Sequence, residues 1–264
     1  MEPAAGAPPF ETIEVEVDVG ARTGRITLNR PSKLNAMSPT MLAELVTAAA
    51  WFDSSTEAVA VVVRGRGRSF CAGFDLGSFS EQREPGDAQH TADLGRRMAD
   101  AITGMRAVTI AAVHGHCVGG GLVLAASCDL RVAEADASFS IPEVDLGIPL
   151  AWGGIPRLVR EIGPAATKDL VMTCRRFGTD EAARLGLITR VVDAGEALVV
   201  ADTLAAELAH KSPLVLSMTK RHVNAIAEQS GSTSLSFLDA DALSAAQRDP
   251  ASRSAARAYL DRRR

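Results

Sequence analysis

"AAVHGHCVGGGLVLAASCDLRVA", residues 111–133, decides how this chain is read. It begins inside an apolar run, "VTIAAVHG" (108–115), of the kind expected for a strand buried on both faces. Three consecutive glycines, Gly119 to Gly121, then open an apolar stretch whose spacing predicts a helix to about Ser127, followed by a strand "LRVAE" (130–134). Glycine at that density is entropically costly unless the chain needs unusual backbone freedom or a close approach. The first turn of a helix also leaves N–H groups with no intrahelical acceptor, pointing outward at the positive end of the dipole. No acidic residue follows the glycines before Asp129, so any charged group working beside these donors must come from elsewhere in the chain.

The flanking sequence supplies the rest of an α/β pattern. Ile13, Val15, Val17 and Val19 alternate with Glu14, Glu16 and Asp18, which predicts a half-buried strand, and "RITLN" (25–29) completes a hairpin. Ser38-Pro39 is an N-cap followed by proline at the first helical position, and Met41, Leu42, Leu45, Val46 and Ala49 continue at helical spacing. "AVAVVVRG" (58–65) is a second doubly buried strand. The polar, turn-rich "GSFSEQREPGD" (77–87) predicts a mobile loop before a helix over 88–105. A Gly/Pro-rich stretch (147–164) precedes further helix, and 195–264 read as mostly helical. Strands alternating with helices give an α/β fold class. The expected organisation is a disordered tail (1–10), a core (11–195) and a C-terminal helical region (196–264).

Composition excludes several function classes. The 264 residues carry 28 Lys+Arg against 32 Asp+Glu, a net charge of -4, so no electrostatic footprint for nucleic acid or an anionic membrane exists. The terminal run Arg262–Arg264 reads as a solvated tail. Four cysteines without CxxC spacing are expected as buried, reduced thiols, hence a reducing compartment. The N-terminus lacks a signal-peptide pattern and no apolar run reaches membrane-spanning length, so a cytoplasmic protein is expected. His114 and His116 form an HxH, but no third ligand has suitable spacing and no metal is expected.

A second segment, "SFCAGFDL" (69–76), shares the design of "GHCVGGGL" (115–122): a buried strand, then a small-residue turn with exposed backbone. Two N–H donors, one from each turn, could hold a carbonyl oxygen as negative charge develops on it. A phosphate is the rival ligand for a glycine-rich helix start. However, the segment has neither the GK[ST] ending of a P-loop nor GxGxxG spacing. Close packing of the helix against the sheet explains the glycines without any ligand.

The order of five segments narrows these readings. "LNRPSKLNAMS" (28–38), "GRGRSFCAGFDL" (65–76), residues 111–133 quoted above, "FSIPEVDLGI" (139–148) and "GGIPRLVREIG" (153–163) together resemble the crotonase superfamily of enoyl-CoA hydratases and isomerases. The resemblance runs from about residue 12 to the C-terminus. It implies a spiral of ββα units, a C-terminal helical trimerisation region, and a homotrimer or dimer of trimers. It further implies an acyl-CoA substrate, with no metal or redox cofactor because coenzyme A is part of the substrate. Motif by motif, Ala72 and Gly120 would be the oxyanion donors. Lys33, Leu34, Ala36, Phe74, Asp75 and Leu76 would surround the CoA part, and Gly119, Val123, Pro142 and Trp152 are expected as further substrate-binding residues.

Hydratases of that superfamily carry two catalytic glutamates. The positions that match here are Val123 and Glu143. A positioned acid or base contributes about 10²–10⁴-fold in rate, so the missing carboxylate matters. One carboxylate suffices for Δ3→Δ2 enoyl-CoA isomerisation, and isomerases of the mitochondrial type resemble this chain in having an apolar residue at the first position. Isomerase is therefore the expected activity, with hydratase, another enolate chemistry or a non-catalytic acyl-CoA binder as alternatives. A low-polarity site would raise the pKa of Glu143 toward neutrality. Asp145 is the alternative carboxylate, Cys71 and Cys117 are expected as packed thiols, and Asp129 as a structural acceptor. "GIPLAWGG" (147–154) departs from the hydratase pattern at Ala151 and Trp152, which predicts altered acyl selection.

Overall fold

The computed structural model describes residues 2–3, 6–81 and 85–262. A short strand β1 (Glu2–Pro3) pairs with β2 (Ile13–Asp18), and β2 forms the expected hairpin with β3 (Thr23–Leu28). Next come α1 (Pro39–Ser55), β4 (Ala60–Gly65), α2 (Leu76–Glu81), α3 (Pro85–Gly104), β5 (Val108–Val113) and β6 (His116–Val118). Then follow α4 (Gly120–Ser127), β7 (Leu130–Glu134), β8 (Ser138–Ser140), α5 (Gly154–Thr173), β9 (Phe177–Gly178), α6 (Thr179–Arg184) and β10 (Arg190–Val192). Four helices close the chain: α7 (Ala197–Ala209), α8 (Pro213–Ser230), α9 (Asp239–Arg248) and α10 (Pro250–Asp261).

The main sheet has the order β1-β2-β3-β4-β5-β7-β10 and is parallel from β3 onward. Its continuous apolar strands are buried on both faces. Val61, Val63, Ala111, Val113 and Ala133 face a core built with α1, α3 and α4. The alternate residues Ala60, Val62, Ile110, Ala112 and Val132 pack under Ala201, Leu204 and Ala205 of α7. This period-two division follows from the strand pleat. Because α7 covers the sheet, the core extends past residue 195 through Ala209. A second sheet, β6-β8-β9, sits beside the first and carries the chain out of β5 into the glycine triplet.

Two local expectations are corrected. The tail is ordered where described: β1 pairs with β2, the Trp51 indole N–H donates to Gly6 O at 3.1 Å, and Ala7 and Phe10 pack on the core. An unpaired β2 edge and two apolar side chains give that segment something to bind. The stretch 77–87 is not a continuous loop, since α2 runs from Leu76 and α3 begins at Pro85; residues 82–84 lie outside those described. The reason is a cap: the Asp75 carboxylate accepts from Gly77 N–H at 2.9 Å, satisfying a first-turn donor. No helix among the described residues is long and apolar enough to cross a membrane.

Candidate functional site

Three extended segments lie side by side where the parallel strands end. Cys71 N–H donates to His116 O and Val118 N–H to Cys71 O, both at 3.0 Å, which ties the "SFCAGFDL" turn to β6. On its other side, Met37 N–H donates to Gly73 O (2.7 Å) and Asp75 N–H to Met37 O (2.9 Å). The left-handed turn at Leu34 and Asn35 brings the 30–36 segment into this arrangement. The buried Asn35 amide fixes it by donating to Arg66 O (2.9 Å) and Ser69 O (2.8 Å).

This ladder decides which N–H groups are available. Ala72 N–H donates to Leu34 O at 3.0 Å, so the expectation that Ala72 supplies an oxyanion donor is corrected. Phe74 sits between the two bonds to Met37, and backbone groups alternate sides along an extended chain. Its N–H therefore faces away from Met37, toward β6 and α4. No hydrogen bond among the described residues uses it. Gly120 is the first residue of α4, where an N–H has no intrahelical acceptor.

Each glycine of the triplet has its own neighbour. Gly119 adopts φ +50°, and a Cβ there would stand 2.5 Å from Glu143 Oε1. A Cβ on Gly120 would overlap the Trp152 ring, and one on Gly121 would lie 2.6 Å from Cys71 O. The opening turn of α4 is thus packed against a carboxyl, an indole and a strand carbonyl. The helix it starts is buried over its full length, Val123 included.

Glu143 reaches this place from a compact turn in which Ile148 N–H donates to Glu143 O at 2.9 Å and Leu146 N–H to Pro142 O at 3.0 Å. The residue as a whole is half-buried, but Oε2 is enclosed and has no hydrogen-bond partner among the described residues. Burial raises its pKa from 4.5 to about 7, and its own backbone N–H offsets that only in part. Two adjoining cavities share the Glu143 side chain as a wall. One, of about 70 Å³, is bordered by Ala72, Gly73, Phe74, Gly119 and Pro142. The other, of about 60 Å³, is bordered by Gly120, Val123, Leu150, Trp152 and Leu243. Glu143 is the one carboxylate among the described residues that line either.

The other expected residues divide. Leu76 borders the larger cavity. Lys33 is exposed, Leu34 and Ala36 are half-buried, and none of the three lines a cavity. Asp75 is engaged internally, capping α2 and pairing with Arg30 at 2.8 Å. Burial pushes its carboxyl up, but the Arg30 and Gly77 bonds outweigh burial and hold it below the ordinary carboxylate value. Asp145 is exposed. Cys71 and Cys117 are buried thiols; burial pushes Cys71 up to about 12 and Cys117 well above its ordinary value, which makes both poor nucleophiles. Asp129 accepts from Thr109 N–H (2.7 Å) and Lys220 Nζ (2.7 Å), the structural role expected of it. Sequence reasoning missed Thr91, Ala92, Leu243 and Tyr259, which reach the cavities from α3, α9 and α10. Amphipathic helices carry no mark of which distant cavity their apolar faces will close.

Residues 19–264 match the family model described as "Enoyl-CoA hydratase/isomerase". The chain belongs to the enoyl-CoA hydratase/isomerase family. Within this crotonase superfamily, a probable enoyl-CoA hydratase of Mycobacterium bovis is 38% identical over 228 residues, covering 86% of this chain and 87% of the relative. A peroxisomal Δ(3,5)-Δ(2,4)-dienoyl-CoA isomerase of Arabidopsis thaliana is 35% identical over 224 residues, 80% of this chain and 81% of the relative. Among solved structures, an enoyl-CoA hydratase/isomerase from Xanthobacter autotrophicus Py2 superposes with a TM-score of 0.85 at 27% identity, covering 97% and 99% of the two chains. One from Mycobacterium paratuberculosis gives 0.86 at 28% identity over 94% and 98%. The crotonase fold expected from the motif order is therefore the fold of this chain.

Proposed function

We propose that this protein isomerises Δ3-enoyl-CoA thioesters to the Δ2 form, with Glu143 as the single proton carrier and the N–H groups of Phe74 and Gly120 as the oxyanion donors. Ionised Glu143 removes a proton from C2 of the acyl group. The electron pair moves toward the thioester carbonyl, and the dienolate oxygen that forms is held by the two backbone donors. The same carboxyl, now protonated, returns the proton to C4, and the double bond ends between C2 and C3. Atoms and charge balance with no water or second acid consumed. A carboxyl with a pKa of about 7 is matched to both halves of that shuttle.

The observation that carries this reading is the lone carboxylate. Val123, buried and apolar, stands one helical turn from the donor at Gly120, where it can neither orient nor protonate anything. Hydratase is the second reading, favoured by the relatives whose names say hydratase. A paired assay separates the two: a 3-enoyl-CoA and a 2-enoyl-CoA, each with wild type and Glu143→Gln. The expected result is conversion of the 3-enoyl substrate, without comparable hydration of the 2-enoyl substrate, lost in the variant. Efficient hydration by the wild type would overturn the isomerase assignment. Saturable binding of both ligands with no turnover of either would identify a non-catalytic binder.

A further inference from the structure

The smaller cavity carries information about the acyl group. Trp152 forms one wall of it, beside Gly120 and Phe74, in a conformation that the surrounding residues enforce. Its φ of +62° lies in the left-handed region, a costly place for a bulky residue, and it is followed by Gly153 at φ +66°. Several groups hold that turn. The buried Arg157 guanidinium donates to Trp152 O and Gly153 O, both at 3.2 Å, and is itself anchored to Asp100 at 2.8 Å. Asp239 of α9 accepts from Gly153 N–H at 2.8 Å. The indole fills the space left by two glycines, Gly95 on α3 and Gly120 on α4, either of whose Cβ atoms would overlap the ring. Its other edge meets Phe74 edge-to-face, with centroids 6.0 Å apart and planes at 87°. Packed glycines on two sides, an aromatic ring on a third and a clamped backbone leave the ring no room to swing aside.

The two cavities also differ in chemistry. The larger is bordered by the backbone of 72–74 and 118–119, where the Phe74 N–H, outside the ladder, can meet a polar thioester oxygen. The smaller is bordered by Val123, Leu150, Trp152 and Leu243, so it suits hydrocarbon. From these features we infer that Trp152 sets the length limit of the acyl group, restricting the site to short, linear acyl chains. The inference rests on the acyl-CoA reading given above.

Size decides how short. A cavity of about 60 Å³ compares with the roughly 150 Å³ of an apolar protein cavity that accepts benzene, so an aromatic acyl group does not fit. The cavity leaves room for only a short chain beyond the enolate. A methylene that finds apolar space contributes about fourfold in affinity. Octanoyl, with four methylenes more than butyryl, would bind up to about two-hundredfold tighter in an open channel. Against a fixed indole those methylenes find no space.

The test is equilibrium binding of unreactive saturated acyl-CoAs, from butyryl to decanoyl, with free CoA as reference, to the wild type and to Trp152→Leu and Trp152→Ala. Because these ligands cannot isomerise or hydrate, the readout does not depend on the reaction assigned. In the wild type the octanoyl-to-butyryl affinity ratio is expected to lie below one, and in Trp152→Leu to rise at least tenfold. The wild-type profile stands even if the alanine variant fails to fold. A wild-type ratio well above one, or an unchanged ratio in a folded Trp152→Leu, would overturn the length limit while leaving the acyl-CoA reading intact. Binding of no acyl-CoA at any length would overturn both.

Discussion

Replacing Glu143 by glutamine changes the pH dependence of stability in a way that can be worked out in advance. Burial raises the carboxyl from 4.5 to about 7. Between those values the folded protein holds a proton that the unfolded chain has released. The group's contribution is therefore full below about pH 4.5, declines as pH rises, and is gone above about pH 7. At 1.36 kcal/mol per pKa unit the whole window amounts to about 3 kcal/mol. Between pH 5 and pH 7.5 about 2 kcal/mol of it is lost. Glutamine has the same shape and does not titrate. Urea unfolding of both proteins at pH 5, 6 and 7.5 isolates the term, because other ionisable groups cancel in the difference. The wild type is expected to lose about 2 kcal/mol relative to the variant across that range. The same group sets a rate limb: as a base in the free enzyme it should make kcat/KM rise with an apparent pKa near 7. Parallel stability curves for the two proteins would refute the claim that the Glu143 carboxyl is desolvated, and with it the reason for a shuttle that works near neutrality.

Gly119→Ala places a methyl 2.5 Å from Glu143 Oε1 at a φ of +50°, so the carboxyl must move; kcat should fall about 10²-fold with little change in KM, read by steady-state kinetics. Val123→Glu restores a second carboxylate, and the ratio of 2-enoyl hydration to 3-enoyl isomerisation should rise, at a stability cost of about 3 kcal/mol for the buried charge; an unchanged ratio in a folded variant would show that this position does not decide the reaction. Asp129→Ala strands the buried Lys220 ammonium and should destabilise by about 3–5 kcal/mol, measured by denaturant unfolding, without altering KM.

Much of this architecture is legible in the sequence because it rests on local rules. Strand runs such as "AVAVVVRG" and "VTIAAVHG" are continuous and apolar because α7 covers one face of the sheet and α1, α3 and α4 the other. Ser38-Pro39 reads as a helix start and acts as one, with Met41 N–H donating to Ser38 Oγ at 3.2 Å. Glu143 is legible through its motif, but its desolvation is not, since that depends on Gly119 and on the cavity walls. The α2 helix is hidden by a polar composition that suits a loop as well, although Asp75, its cap, stands in plain view. Ala72 looks equivalent to Phe74 as a donor until the bond to Leu34 assigns its N–H elsewhere. Backbone direction in an irregular turn follows from which neighbour it ladders with, and no residue type encodes that.

The glycine triplet shows why the two sequence readings of it, close packing and ligand access, are not rivals. Gly119 admits the Glu143 carboxyl, Gly120 admits the Trp152 ring and Gly121 admits the Cys71 carbonyl. Packing at the α4 opening is what seats Glu143 and Trp152 beside the Gly120 N–H, the donor of the proposed chemistry. A side chain at Gly119 or Gly120 would displace Glu143 or Trp152, and one at Gly121 would press on the strand that carries Phe74. The same turn explains why a single carboxylate can be kept near neutrality. With Val123 apolar, no second acid among the described residues lines the cavities beside Glu143, so burial, offset in part by its own backbone N–H, raises its pKa. A carboxylate at 123 would add like-charge repulsion, and the two protons would then belong to the pair rather than to one shuttle. In the proposed reaction, valine rather than glutamate at 123 therefore leaves Glu143 free to take and return one proton.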